Sequence, residues 1–177
     1  HPDCFEPDPE IREELGVAPD ESYVLGRFVG WGAAHDMGKT RLSNDQKCRL
    51  VQKISDEARV FLSVEGELPV DLEPYRLRTP LSKIHDVISH ASMVFGESGT
   101  MSSEAAVLGV PAVYINPLEL GYLHEQETRY GLVRCFHPDD FKSAEHACMD
   151  TLEKAEQGCY QSNHQDLLTG STNVSNM

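Results

Sequence analysis

Short runs of apolar and β-branched residues alternate along this chain with longer segments whose apolar residues recur every three or four positions. The short runs predict strands at 22–30, 59–64, 92–96, 111–116 and 132–136, with a further short candidate at 75–78. The longer segments between them predict amphipathic helices. Strands and helices that alternate in this order build a parallel sheet with helices on both faces. The pattern therefore predicts an α/β fold, a three-layer Rossmann-like parallel sheet.

Local signals place the ends of the helices and divide the chain into three parts. Ser43 and Gln46 form a capping-box pattern ahead of an apolar stripe, so a helix begins there. Further helices are predicted from Thr79-Pro80, over about 100–108, and from Pro138 to Gly158. Residues 1–21 are interpreted as a linker with an entry helix, 22–158 as one domain, and 159–177 as a polar, poorly ordered tail.

The composition limits the classes of function. The chain has 177 residues, 40% of them hydrophobic, which suits one domain with a buried core. Its formal net charge of −14 repels phosphate backbones, so no nucleic-acid partner is expected. No apolar run has the length of a membrane span and no signal peptide opens the chain. We expect a cytoplasmic protein and, since the first residue is His rather than Met, a fragment or processed product.

The spacing of cysteines and histidines does not suit a metal site. Five cysteines are present, and no two form a C-x-x-C pair. No two of the eight histidines are spaced as H-x-x-x-H. The pattern predicts reduced thiols, no bound metal and no cofactor.

The first candidate for anion binding is the Gly-rich segment GWGAAHDMGKT, residues 30–40. It resembles a P-loop, but the leading glycine should stand at 33, where the chain has Ala33. One interpretation is a plain connecting loop. Another is a loop that folds over a ligand with His35, Asp36 or Lys39. A nucleotide hydrolase that uses this loop is the least favoured alternative.

The second candidate is the turn between residues 96 and 104, where a predicted strand runs directly into a predicted helix. The first N–H groups of a helix have no partner within the helix, so they bind phosphate well. Ser98 and Thr100 add hydroxyl donors, and Gly99 permits close approach of the backbone. Glu104 lies four residues beyond Thr100, on the same helix face, where a carboxylate suits vicinal hydroxyls. The same pattern is also compatible with a simple capped helix.

The stretch YRLRTPLSKIHDVISHASMVFGESGTMSSEAAVLGVPAVYIN, residues 75–116, resembles the carboxyl-terminal domain of the UDP-N-acetylglucosamine 2-epimerases. More broadly it resembles the glycosyltransferase-B superfamily. The family's D-S-G-G-x-x-E-E-A turn is matched by Glu97 to Ala105, and its L-G-x-P by Leu108 to Pro111. An uncharacterised prokaryotic epimerase-like family, which also has S-G-T at the turn, is more similar still. The resemblance implies one glycosyltransferase-B half.

The resemblance also assigns residues. It implies that Ser98, Gly99 and Thr100 bind phosphate and that Glu104 binds ribose. It places Arg78 and Thr79, which precede a predicted helix, near the base of the nucleotide.

The chain departs from the family pattern in two places. The family follows its first strand with a His-Arg-rich motif, where this chain has Arg27 and then Gly30-Trp31-Gly32. Arg27, His35 and Asp36 are therefore candidates for a substrate loop. The family ends the strand after the turn with Arg, where this chain has Asn116-Pro117.

The expected function is the UDP-sugar-binding half of a glycosyltransferase- or epimerase-like protein, with little or no activity without an amino-terminal domain. A non-catalytic module that binds a nucleotide sugar is the alternative. No general base is assigned from the sequence; the candidates are His35, Asp36 and His124.

Overall fold

The protein forms one five-stranded parallel sheet. The structure, a computed structural model, describes residues 5–29, 41–64 and 66–172. The strands are β1 (Tyr23–Phe28), β2 (Arg59–Val64), β3 (Met93–Gly96), β4 (Ala112–Ile115) and β5 (Val133–Phe136). They lie in the order β2-β1-β3-β4-β5, and every neighbouring pair is parallel. The predicted parallel sheet is confirmed.

Helices cover both faces of this sheet. They are α1 (Ile11–Glu14), α2 (Asn44–Ser55), α3 (Ile84–Ser89), α4 (Gly99–Val107), α5 (Gly121–Thr128), α6 (Phe141–Glu156) and α7 (Gln161–Thr172). Short 3-10 segments lie at Val70–Tyr75, Leu81–Lys83 and Pro138–Asp140. None of the helices within the described ranges is long and apolar enough to cross a membrane.

Alternation of side chains along the strands creates two separate cores. In β4, Ala112 and Tyr114 face one core, whereas Val113 and Ile115 face the other. The first core packs against α1, α3, α4, α5 and α7, and the second against α2 and α6. The three-layer arrangement is thus a direct consequence of strands that are apolar on both sides.

The capping box at the start of α2 is present as predicted. The Ser43 hydroxyl accepts a hydrogen bond from the Gln46 backbone N–H at 3.2 Å, and the Gln46 side-chain oxygen accepts one from the Ser43 N–H at 2.9 Å. Two of the unpaired amides at the helix start are satisfied in this way. The cap directs Leu50, Val51 and Ile54 into the second core.

Two elements between residues 22 and 158 differ from the sequence-based expectation. The strand predicted at 75–78 is reduced to a single bridge between Leu62 and Arg76, because the chain ahead of it is coiled into a 3-10 turn that buries Leu72. Helix α5 was not predicted. It buries only Leu123 and Gln126, so its apolar periodicity is too weak to detect.

The segment expected to be a poorly ordered tail contains helix α7, which packs against α4. Leu167 is buried in the first core, and the Asn163 amide donates to the Tyr130 carbonyl at 2.8 Å. His164 Nε2 lies 2.9 Å from the Val107 carbonyl oxygen at the end of α4. A polar segment is ordered here by a few specific tertiary contacts, which composition does not reveal.

Candidate functional site

The strand order reverses between β1 and β3, and this switch point defines the expected ligand crevice. The chain leaves β1 toward β2 on one side and continues through β3, β4 and β5 on the other. Ligands of open α/β sheets bind beyond the carboxyl ends of the strands at such a point. The two segments that meet there are Val29 after β1 and Glu97-Ser98 after β3. The candidate residues His35, Asp36 and Lys39 lie outside the described residues.

Gly96 ends β3 in a conformation that requires glycine. Its φ is +131°, and a Cβ atom there would lie 2.1 Å from the backbone oxygen of Arg27. The next residue, Glu97, donates its N–H to the same oxygen at 2.8 Å. The close approach of the two backbones turns the chain from β3 into α4 and sets the position of Ser98.

Ser98 caps helix α4. Its hydroxyl oxygen accepts a hydrogen bond from the Met101 N–H at 3.3 Å, while the Ser102 hydroxyl donates to the Ser98 carbonyl at 2.9 Å. The cap uses an oxygen lone pair, so the hydroxyl hydrogen remains able to donate to a ligand. Thr100, in the first turn, is exposed. The start of α4 therefore combines backbone amides and hydroxyl groups suited to an anion.

Gly99 has a packing role within the protein. A Cβ atom at this position would lie 2.3 Å from Leu120 Cδ1 and 3.1 Å from the Tyr122 hydroxyl oxygen. The residues that lead into α5 thus occupy the space beside Gly99. The absence of a side chain lets α5 approach the start of α4, whether or not a ligand is bound.

Glu104 lies on α4 and faces α3. Its Oε2 is 3.5 Å from His85 Nε2, and its side chain is 41% exposed. The carboxylate is therefore accessible while one neighbour limits its orientation. The hydroxyls at the start of the helix and this carboxylate stand on one helix, as the sequence predicts.

Arg78 and Thr79 belong to the segment that leads into the 3-10 turn ahead of α3. Arg78 is exposed and lies near Glu73; the pKa of Glu73 is lowered mainly by a hydrogen bond from Arg76 and to a smaller extent by the charge of Arg78. The contacts among the described residues do not join Arg78 to the start of α4. Its role at the base of a nucleotide stays a prediction.

Arg27 stands at the carboxyl end of β1. Its guanidinium donates to the Ser63 hydroxyl on β2 at 2.9 Å, so the side chain reaches across the sheet edge toward β2. A role in a substrate loop stays a prediction as well.

Sequence reasoning missed a buried ion pair beside the turn. Lys47 Nζ lies 3.0 Å from Glu97 Oε2, and the two side chains are 3% and 2% exposed. The same oxygen accepts the Val29 N–H at 3.1 Å. Lys47 is the first member of the buried stripe of α2, three residues before Leu50. A lysine at a buried position of a helix usually has a partner of opposite charge, so the position of Lys47 on the apolar stripe indicates an ion pair.

A pocket of about 520 Å³ opens at the carboxyl ends of β4 and β5, next to the start of α4. Leu120, which packs beside Gly99, is part of its wall. Apolar walls come from Pro117, Leu118 and Phe136. The polar lining includes Tyr114, Asn116, His124, Glu127, Cys135 and His137. A volume of this size and a mixed lining suit a small polar ligand with one apolar face.

Within the pocket, Glu127 lies next to Cys135 and His124. Glu127 Oε1 accepts the Cys135 N–H at 2.8 Å, and Oε2 lies 4.0 Å from His124 Nδ1. Burial, with a further contribution from Glu127, raises the pKa of the Cys135 thiol to about 12. Burial also raises the pKa of Tyr114 to about 12. Both groups are protonated at neutral pH, so they act as donors rather than nucleophiles.

Cys135 is expected to resist alkylation. A pKa raised from 9.0 to about 12 lowers the thiolate fraction at pH 8 by about a thousandfold. Iodoacetamide at pH 8 should therefore modify the exposed Cys159 well before Cys135, as read by peptide mass spectrometry. In urea the two rates should converge, which serves as the control. Equal rates in the folded protein would contradict the protonated thiol.

Within residues 5–29, 41–64 and 66–172, no three His, Cys, Asp or Glu side chains are clustered so as to hold a metal ion.

Comparison with known proteins identifies the fold. No protein-family model matches the chain, and neither does any curated protein sequence. Among solved structures, the chain is similar to a protein from Listeria monocytogenes assigned as a UDP-N-acetylglucosamine 2-epimerase, with a TM-score of 0.56 and 16% identity. That similarity covers 92% of this chain and 42% of the other.

Two further structures are similar at a lower level. The wall teichoic acid polymerase TagF has a TM-score of 0.44 and 10% identity over 91% of this chain and 47% of its own. The glycotransferase of kitacinnamycin has a TM-score of 0.46 and 15% identity over 84% of this chain and 40% of its own. The chain thus spans less than half of the length of each of these three structures. The similarity to the Listeria monocytogenes structure confirms the fold expected from the resemblance of residues 75–116.

Proposed function

We propose that this chain is the nucleotide-sugar-binding half of a glycosyltransferase- or 2-epimerase-like protein that uses a UDP-sugar. The observation that carries the proposal is the start of α4. It stands beside the switch point of a parallel sheet, is capped by Ser98, and is followed on the same helix by the accessible carboxylate of Glu104. Backbone amides and hydroxyls are matched to a diphosphate, and the carboxylate to ribose hydroxyls.

The neighbouring pocket supplies a place for the sugar. A sugar ring combines hydroxyl groups with apolar C–H faces. Glu127 and Tyr114 provide an acceptor and a donor, and Phe136 provides an apolar surface. With the diphosphate at the start of α4, the sugar would enter the pocket past Leu120.

The chemistry of the whole protein requires a second domain. In this proposal, an amino-terminal domain closes over the carboxyl edge of the sheet, excludes water and supplies acid or base groups. The half described here would bind substrate with little or no turnover. Its cysteines 48, 135, 148 and 159 are free thiols, which suits the reducing cytoplasm where we place the protein.

Substitutions of Ser98 separate phosphate binding from helix capping. Asp and Asn both replace Ser as N-caps at little cost, but only Asp adds negative charge. Ser98→Asp should therefore weaken UDP binding by at least about tenfold through repulsion of the phosphates. Ser98→Asn should retain binding and thermal stability. Isothermal titration calorimetry with UDP is the measurement, with a wild-type Kd expected on the order of 0.1–1 mM.

Glu104→Ala extends the same experiment to the ribose. We expect it to abolish the heat of UDP binding, while Glu57→Ala, an equal charge change ahead of β2 at the opposite edge of the sheet, leaves binding intact. Unchanged affinity in Ser98→Asp and Glu104→Ala would exclude this turn as the nucleotide site. Binding of UDP-sugars by the protein joined to its second domain, without turnover, would favour the non-catalytic module.

A further inference from the structure

The carboxylate of Glu97 is placed where a negative charge should oppose anion binding. It belongs to the residue directly before Ser98, and its side chain is 2% exposed. A helix start carries about half a positive charge, which one adjacent carboxylate would more than cancel. A diphosphate site next to this residue therefore requires a compensating cation.

Lys47, a buried residue of α2, provides that cation. Its ammonium group lies 3.0 Å from Glu97 Oε2 and 5.4 Å from the centre of the Phe28 ring. The lysine is 3% exposed, so it is too deeply buried to contact a ligand at the surface. Its influence on a ligand must be electrostatic.

Glu97 also links the ends of three strands. Its Oε2 accepts the Val29 N–H that follows β1, its own N–H bonds the Arg27 oxygen, and its carbonyl accepts the Asn116 amide that follows β4 at 2.9 Å. The chain thus has a structural use for an acceptor at this position. Only the contact with Val29 uses the side chain of Glu97, and it needs an acceptor oxygen but not a net negative charge.

We propose that the Lys47–Glu97 pair sets the electrostatic potential at the start of α4 and thereby determines how strongly the site binds the diphosphate of a nucleotide. This inference rests on the proposed function. Lys47 and Glu97 act as positioning and charge-setting residues behind the turn and do not touch the ligand. Because the pair is buried, its charges act through a medium of low dielectric and are screened less by salt than surface charges.

The proposal predicts opposite effects from the two single substitutions. Glu97→Gln retains a side-chain oxygen for the Val29 N–H but leaves the lysine charge, so UDP should bind about tenfold more tightly. Lys47→Met retains an apolar stem against Phe28 but leaves the carboxylate charge, so UDP should bind about tenfold more weakly. The double variant, which removes both charges, should bind within about threefold of the wild type.

The test is calorimetric titration of UDP into the full chain and the three variants. Sucrose in the buffer favours the folded state of destabilised variants, and circular dichroism verifies that state. The neutral double variant is expected to fold even where a single variant does not. Titrations at two salt concentrations should preserve the order of the affinities, since the pair is buried.

The outcomes distinguish an electrostatic role of the Lys47–Glu97 pair from a purely structural one. The inference is supported if Glu97→Gln binds UDP most tightly, the wild type and the double variant bind it with intermediate affinity, and Lys47→Met binds it most weakly. Equal weakening in both single variants overturns the inference alone, because it indicates a purely structural role. A double variant that loses affinity tenfold also overturns it. An absence of UDP binding in every protein, the wild type included, overturns the proposed function together with the inference.

Discussion

Replacement of Gly96 by alanine is expected to destabilise the fold by at least about 4 kcal/mol, within the range reserved for severe core defects. The new Cβ would lie 2.1 Å from the Arg27 backbone oxygen. That oxygen belongs to a strand of the sheet and cannot move away without disturbing the strand pairing. The φ of +131° adds strain for any residue with a side chain. To relieve the steric clash, β3 would have to separate from β1. This movement would also displace Ser98 from the crevice.

Urea denaturation followed by circular dichroism measures this loss. Gly121→Ala is the matched control, because a Cβ atom at Gly121 meets nothing within 4 Å and the residue begins α5. Its stability should equal or slightly exceed that of the wild type, since alanine favours helix over glycine. If Gly96→Ala were as stable as Gly121→Ala, the described turn between β3 and α4 would be incorrect.

Removal of Lys47 from the Lys47–Glu97 pair is expected to cost about 3–5 kcal/mol, because it leaves the Glu97 carboxylate buried without the lysine charge. The side chains of Lys47 and Glu97 are 3% and 2% exposed, so water has little access to the carboxylate that remains. Lys47→Met should therefore lower the urea midpoint strongly, despite the similar length of the two side chains. This effect on stability is separate from the effect on affinity, and the two have different readouts.

The double variant Lys47→Met/Glu97→Gln tests whether the loss comes from the uncompensated charge. Replacing both charges with neutral groups of similar shape is often close to neutral in stability. We expect the double variant to recover most of the loss, which a double-mutant cycle from urea curves would quantify. Additive losses from the two substitutions would instead indicate that packing, rather than charge, is responsible.

The sequence by itself determined the class of fold. Runs such as those that became β3 and β4 are apolar on both sides, and such runs require cover on both faces of a parallel sheet. The capping box at Ser43 and the strand-turn-helix pattern at Ser98 could also be predicted, because both depend on residues close together in the chain. Local patterns of this kind survive in the tertiary structure.

The tertiary structure alone decided the contacts that join distant segments. Whether α7 is ordered depends on Leu167 and on the fit of His164 against the end of α4, and α5 forms although its periodicity is weak. The pairing of Lys47 with Glu97 joins residues fifty positions apart; the sequence shows a lysine on an apolar stripe but does not name its partner. These features arise from packing in three dimensions, where partners are chosen by proximity in the fold rather than by spacing along the chain.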